Sequence, residues 1–282
     1  MLDLILDPFA LPFMRRALVG CLVLSVAAPP LGVFLVLRRM SLMSDVMQHG
    51  VLPGIALGAM VGGLSVYAMG FGGVLAGLAI ALLAGFLSRR TGGREDSQLA
   101  GVYLIALAAG VGLVSSQRGI DLTHLLFGSV LAVDDTALFG MAGVATVTVF
   151  GLAVIWRPLI LESLDPSFMA ATGGHGAVWH LSFLALVVMC VVSGFVALGT
   201  LMAVGLMMLP AIAARHWSNS LSGQVGIAVL IAILSSIGGL IVSFNLDVPA
   251  GPAIVLTAGA LWAVGLLLGP HASLLRDGRQ IA

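Results

Sequence analysis

Residues 38–58 read RRMSLMSDVMQHGVLPGIALG, which sets an aspartate and a histidine four residues apart in apolar surroundings. At that spacing Asp45 and His49 fall on one face of a helix. A carboxylate oxygen and an imidazole nitrogen are both ligand atoms for a divalent transition metal. Pro53 follows four residues after His49. It has no N–H to give the His49 carbonyl, so the helix is expected to kink there, with a backbone acceptor left beside the two side chains. Met43 and Met47 put sulfur on the neighbouring face, although methionine more often serves packing. An ionised aspartate within hydrocarbon costs roughly 2.5–3.5 kcal/mol or more, so such residues usually face a cavity and mark a path. The competing reading is structural. Asp45 lies six residues past Arg39, about 9 Å of helix rise, within reach of a pair with Arg38 or Arg39, and His49 could be a satisfied core histidine.

The elements that must position this pair follow from composition. The 282 residues are 60% hydrophobic and 9% charged, with a mean hydropathy of +1.16. Soluble domains carry about 25% charged residues. The deficit, together with apolar runs mostly longer than the roughly 18 residues that span a bilayer, points to an all-α, polytopic membrane bundle. The period-2 alternation of a membrane barrel is missing. Apolar spans are expected at 17–37, 44–67, 70–88, 98–116, 136–156, 181–199, 200–214, 222–243 and 252–269. The seventh is short and suits a half-length or re-entrant helix buried in protein, so eight or nine transmembrane helices are expected. The net charge of zero gives no case for nucleic acid. All twelve basic residues are arginine. A phosphate-binding Walker loop needs its lysine, so this chain is not a conventional ATPase. It shows no catalytic triad, and the His-Glu-x-x-His of a metalloprotease is absent. Cys21 and Cys190 each sit in an apolar run and read as small core residues.

Nine arginines fall in the loops 38–43, 89–97, 157–180 and 215–221 and in the C-terminus, against three on the other side. The positive-inside rule makes the first set, and the C-terminus with it, cytoplasmic. Residues 1–14 read as a short interfacial segment rather than a signal peptide, since acids precede the Arg15–Arg16 pair. Ala28-Pro29-Pro30 is expected to interrupt the first span. Gly50, Gly54, Gly58 and Gly62 recur every fourth residue and form a smooth ridge for close helix packing, a device that Gly73 and Gly77 repeat. The longest polar interruption is 157–180, a loop or surface helix with a helix-compatible piece at Pro166–Ala171. The other histidines and acids read as follows. His175 and His180 are solvated, and His216 complements a helix C-terminus. Asp247 caps a helix junction. His124, Asp121, Asp134 and Asp135 belong to the outer link, where they could meet an incoming ion.

The opening stretch closely resembles the signature of the permease subunits of bacterial ABC importers for zinc, manganese and iron. There it reads much like Arg-Arg-Met-Ser-Leu-Met-Gly-Asp-Ala-(Leu/Ile)-Ser-His-Ala-Val-Leu-Pro-Gly. REDSQLAGVYLIALAAGVGL, HLLFGSVLAV, LDPSFMAATG, GTLMAVGLMMLPAIAAR and SFNLDVPAGPAIVL resemble later family segments in the same order. The resemblance covers nearly the whole chain. It implies a single permease domain over 1–282 in the bacterial cytoplasmic membrane, in contact with lipid. Its partners would be a second permease subunit (a copy or a paralogue), two ATP-binding subunits and an extracytoplasmic metal-binding protein. Asp45 and His49 match the family positions implicated in metal coordination. The stretch Leu164, Asp165, Pro166, Ser167, Phe168, Met169, Ala170 to Gly173 matches the segment that docks on the ATPase, so 157–180 becomes the coupling loop. No cofactor is bound permanently. The transported ion would be zinc first, with manganese or iron as the other choices. Ser44, Val46, Gln48 and Gly50 stand where the family more often has Gly, Ala, Ser and Ala. This departure bears on metal preference, and Gln48 could add a ligand or narrow the path. The alternative class is an ATP-independent secondary transporter or channel, which would want charged relays along several helices. Mid-span acids other than Asp45 are nearly absent.

Overall fold

The computed structural model describes residues 7–41, 43–63, 65–91, 95–115, 133–165, 168–169 and 176–271. A 3-10 turn at Asp7–Ala10 leads into α1 (Pro12–Leu37), α2 (Met43–Gly50), α3 (Leu52–Gly62), α4 (Val66–Thr91) and α5 (Glu95–Ser115). Next come α6 (Asp135–Leu164), α7 (Gly176–Leu198), α8 (Thr200–Ala214), α9 (Leu221–Leu246) and α10 (Ala250–Leu268). No strand occurs among the described residues. Six of these helices are long and apolar enough to cross a membrane, and three shorter apolar stretches lie at 46–62, 100–113 and 200–214. All nine coincide with the apolar spans legible in the sequence.

α1 is the central helix. Every residue from Ala27 to Leu35 is buried, and α1 packs against α6, α7, α8 and α9. A helix buried on all sides belongs in the middle of a bundle. The expected interruption at Ala28–Pro30 does not occur: α1 runs straight through Pro29 and Pro30. Each proline removes one backbone bond, but both rings lie in the packed centre, and neighbouring helices hold the segment. One such tie is local. Ser25 Oγ donates to the Cys21 carbonyl at 2.7 Å and pairs with Ser236 Oγ of α9 at 2.9 Å. Cys21 and Cys190 are free and buried.

Three further boundaries differ from the sequence reading. Residues 157–164 are not loop but the last two turns of α6, which continues through Pro158. Leu159 is fully buried there, and Trp156 meets the Phe34 ring edge-on at 5.1 Å, so packing carries the helix past its proline. The helix α7 then starts at Gly176 rather than 181. At the N-terminus, helix begins at Pro12, inside the stretch read as interfacial, and residues 1–6 lie outside the described set.

The glycine ridge of α3 is the contact surface of an antiparallel α3–α4 pair. A Cβ on Gly54 would overlap the Gly72 carbonyl, one on Gly72 would overlap the Gly54 carbonyl, and one on Gly58 would overlap the Ala68 carbonyl. Gly73 and Gly77 make room on two sides at once: a Cβ on Gly73 would crowd Ile55 and Val192, and one on Gly77 would crowd Val51 and Val188. Without a hydrophobic drive between helices in lipid, such close approach supplies the packing energy. Gly72→Ala is therefore expected to destabilise the protein by about 1–3 kcal/mol, the usual cost of overpacking. Gly70 is two residues away on the same helix and has open space around it. Gly70→Ala should be neutral, or stabilising by up to about 1 kcal/mol through helix propensity. Thermal midpoints of the two variants in detergent check the contrast.

α7 and α8 are joined by one residue, Gly199, at φ +98°. That left-handed backbone suits glycine, and it turns the chain sharply: a Cβ on Gly194 would lie 3.0 Å from that of Ala203. The 15-residue α8 is thus a half-length helix folded back into the core.

Candidate functional site

The short helix α2 carries Asp45 and His49 and packs against α4, α5, α7 and α8. Its apolar and polar neighbours alike are buried: Met43, Ser44, Met47 and Gln48 are all at most 5% exposed. Met43 and Met47 belong to the hydrophobic core, which makes their sulfur packing material. His49 is half-buried. Its ring lies 6.3 Å from that of Tyr103 on α5, and its Nε2 lies 3.4 Å from Gln48 Nε2. The Gln48 amide thus stands beside the ring nitrogen that a metal would take, and a metal arriving there would displace it. Asp45 sits one turn before His49 in α2, and only its backbone place is described.

The helix is interrupted at Val51, between α2 and α3, two residues before Pro53. Val51 N–H still reaches the Met47 carbonyl at 3.1 Å, and Ile55 N–H the Val51 carbonyl at 3.0 Å. The gap in the ladder falls where proline has no hydrogen to give. Pro53 packs on α5, where a Cβ on Gly110 would come within 2.9 Å of its ring. So α5 approaches both the break, at Gly110, and the imidazole, at Tyr103.

The expected docking stretch is described at four positions. Leu164 ends α6 and is 69% exposed. Asp165 Oδ1 accepts from Phe168 N–H at 2.9 Å, and its carbonyl accepts from Met169 N–H at 3.2 Å. This is the N-terminal cap of a helical turn. Within it Met169 is buried and Phe168 is exposed. Pro166, Ser167, Ala170 and Gly173 lie outside the described residues, as do His124, Asp121 and His175.

One feature was not foreseen from the sequence. Arg38, at the C-terminus of α1, turns its guanidinium inward, where its side chain is 7% exposed. It donates through Nε to Ser163 Oγ at 2.9 Å, meets His180 Nδ1 at 2.7 Å and forms an ion pair with Glu162. It also lies over the Phe183 ring at 5.0 Å. His180 is therefore not solvated. It is half-buried in this cluster, drawn in because α6 and α7 pack side by side. The available signal was Glu162, one of two glutamates in the chain, set in the apolar run LILESL. An acid at such a place needs a buried partner.

Three further acids lie at helix ends. Asp134 Oδ1 caps α6 by accepting from Ala137 N–H at 2.8 Å. Asp135 pairs with Arg16 at 3.0 Å, with both side chains at least half exposed. Asp247 closes α9 in the left-handed region at φ +52°. His216 follows the end of α8, and its carbonyl accepts from His271 N–H at 3.0 Å. Among the described residues no three His, Cys, Asp or Glu side chains converge on a point that could hold a metal.

Comparison with known proteins agrees with this architecture. The model of the ABC 3 transport family matches residues 10–269. The chain is similar to the manganese transport system membrane protein MntC of Halalkalibacterium halodurans. The two are 30% identical over 265 residues, or 93% of this chain and 89% of the relative. It is also 30% identical over 268 residues to a probable iron transport system membrane protein of Haemophilus influenzae, which covers 94% of this chain and 97% of that one. Among solved structures, PsaBC from Streptococcus pneumoniae in complex with Fab matches with a TM-score of 0.83 and 29% identity. That match covers 96% of this chain and 98% of the other.

Proposed function

The chain belongs to the ABC 3 transport family, and on that premise we propose that it is the permease subunit of an importer moving a divalent transition metal into the cytoplasm. The carrying observation is the family match over almost the whole described bundle, with His49 half-buried on a broken helix inside it. Asp45 and His49 are the proposed ligands. One carboxylate and one imidazole per chain give two donors. A second permease subunit related by a two-fold axis would supply two more and complete a four-ligand site between subunits, a number familiar from zinc-like coordination. Ligands on a path must bind well enough to accept the ion and weakly enough to release it. A site shared between two chains, and opened when they move apart, meets both demands.

In this reading ATP is hydrolysed on two separate subunits, in keeping with a chain that has no lysine for a Walker loop. They dock on the 164–173 stretch, where the capped turn presents Phe168. An extracytoplasmic binding protein delivers the ion from the other side. The arginine asymmetry then puts the C-terminus in the cytoplasm.

The sequence reading ranked zinc first. The two relatives above are named for manganese and iron, so the proposed cargo is manganese or iron, with zinc as the competitor. Carboxylate and imidazole donors suit all three, and affinity alone does not choose among them. The test is cellular metal content by mass spectrometry, in a bacterial strain lacking its own importers and supplied with this chain, its ATPase and its binding protein. Manganese or iron should rise, and the rise should vanish when the ATPase Walker lysine is replaced. A rise in zinc alone returns the cargo to zinc. A rise that survives the lysine replacement makes the chain an ATP-independent carrier. No rise in any metal overturns the proposal.

A further inference from the structure

Arg38 stands at a junction that neither the metal ligands nor the docking stretch accounts for. Three of its side-chain partners lie on the two helix ends that flank residues 165–175. Glu162 and Ser163 are in the last turn of α6, and His180 is in the first turns of α7. Its backbone, in turn, leads straight to α2. Arg38 N–H bonds the Phe34 carbonyl at 3.0 Å, Met40 N–H the Leu35 carbonyl at 2.8 Å, and Met43 N–H the Met40 carbonyl at 2.9 Å. Arg39 takes the left-handed region at φ +59° to make that turn. The connection from the guanidinium to the start of α2 is therefore a hydrogen-bonded turn and not a slack linker. His49 follows within the same eight-residue helix.

We propose that Arg38 is a positioning residue that couples the facing ends of α6 and α7 to the helix bearing His49. The proposal rests on the importer reading above. A guanidinium presents its donors in a rigid planar fork, and here that fork holds α6 and α7 to one another and to the end of α1. When a partner pulls or rotates the segment between α6 and α7, the ends of both helices move. Arg38 moves with them and carries the 38–43 turn, so α2 and its imidazole shift against α5. A point contact to one helix would let the other slide. Three acceptors on two helices make the pair move as a unit. The cation–π contact with Phe183 adds a fourth fixed point on α7.

Fold maintenance and coupling can be separated because a buried ion pair replaced whole by apolar residues often leaves stability unchanged, whereas removal of one partner does not. The test uses the full complex of permease, ATPase and binding protein in proteoliposomes and reads manganese imported per ATP hydrolysed. The double variant R38M/E162L should assemble and hydrolyse ATP, while metal moved per ATP falls about 10-fold, within the range that changes along a coupling network produce. If the network only stabilises the fold, the double variant transports at the wild-type ratio, and the proposal is overturned. A second variant guards against misfolding of the first. Arg38→Lys keeps the charge opposite Glu162 but lacks the planar fork, and its ratio should fall about 3-fold. An unchanged ratio in a well-assembled Arg38→Lys complex equally overturns the proposal. Wild-type complex with no ATP-dependent uptake of manganese or iron would instead remove the importer reading on which this one stands.

Discussion

His49→Ala removes ATP-dependent metal accumulation while the permease remains folded and assembled. The loss should be at least about 10-fold, the low end of what disturbing even a metal ligand's outer support costs in affinity or activity. Assembly should survive for two reasons. The imidazole is only half-buried, so its removal leaves no large closed cavity, and alanine favours helix more than histidine does. Asp45→Ala should give the same phenotype if the two residues act as one ligand set, and the double variant should be no worse than either single one. Met47 supplies the control. It is fully buried in the core two residues before His49. Met47→Leu conserves volume and should cost less than about 1.5 kcal/mol of stability with transport intact. The readout is metal per cell by mass spectrometry, normalised to permease recovered from the membrane. Wild-type accumulation by His49→Ala would remove the imidazole from the path. Loss of transport in Met47→Leu would move the chemistry to sulfur.

The order of the spans was legible because each reports on a local property, namely a run of apolar residues long enough for a bilayer. Even the half-length α8 showed as a short run. What failed were inferences from single residues whose effect depends on tertiary surroundings. Pro29, Pro30 and Pro158 each read as breaks, and all three lie inside continuous helices. Pro53, by contrast, adjoins a real interruption. Proline's local chemistry is the same at all four positions. The difference is whether neighbouring helices hold the segment in a helix, and a single sequence carries no measure of that. The glycine ridge was legible as a ridge, since spacing alone puts Gly54, Gly58 and Gly62 on one face, but its partner in α4 was not. His180 was read from its place beside a polar stretch, although its surroundings are set by Arg38, 142 residues away in sequence. For the candidate metal pair, the sequence supplied residue types and spacing. The structure adds the burial of Gln48, the Tyr103 neighbour and the closeness of α5 at Gly110.

Arg38→Ala should be more destabilising than loss of any other charged side chain in the two ion pairs, at about 3–5 kcal/mol, the cost of breaking a buried ion pair by removing one partner. The magnitude follows from burial. The Arg38 and Glu162 side chains are 7% and 17% exposed, so water cannot take over from the missing guanidinium. Arg16 and Asp135 form a pair of similar geometry at 50% and 64% exposure. An exposed pair is worth roughly 0.2–1 kcal/mol, and Arg16→Ala should be nearly silent. The two partners of the buried pair should also differ. Glu162→Gln leaves a cation whose long stem can reach towards the membrane surface, and its amide still offers an oxygen to that guanidinium. Arg38→Ala leaves a short acid fixed in the last turn of α6 with no such route. Glu162→Gln is therefore expected to cost less than Arg38→Ala. Thermal midpoints of the four proteins in one detergent decide the matter. A large drop for Arg38→Ala, a smaller one for Glu162→Gln and almost none for Arg16→Ala is the expected order. Equal drops for Arg38→Ala and Arg16→Ala would mean that solvent or lipid headgroups reach Glu162 freely and that the three helix ends are held by apolar packing alone.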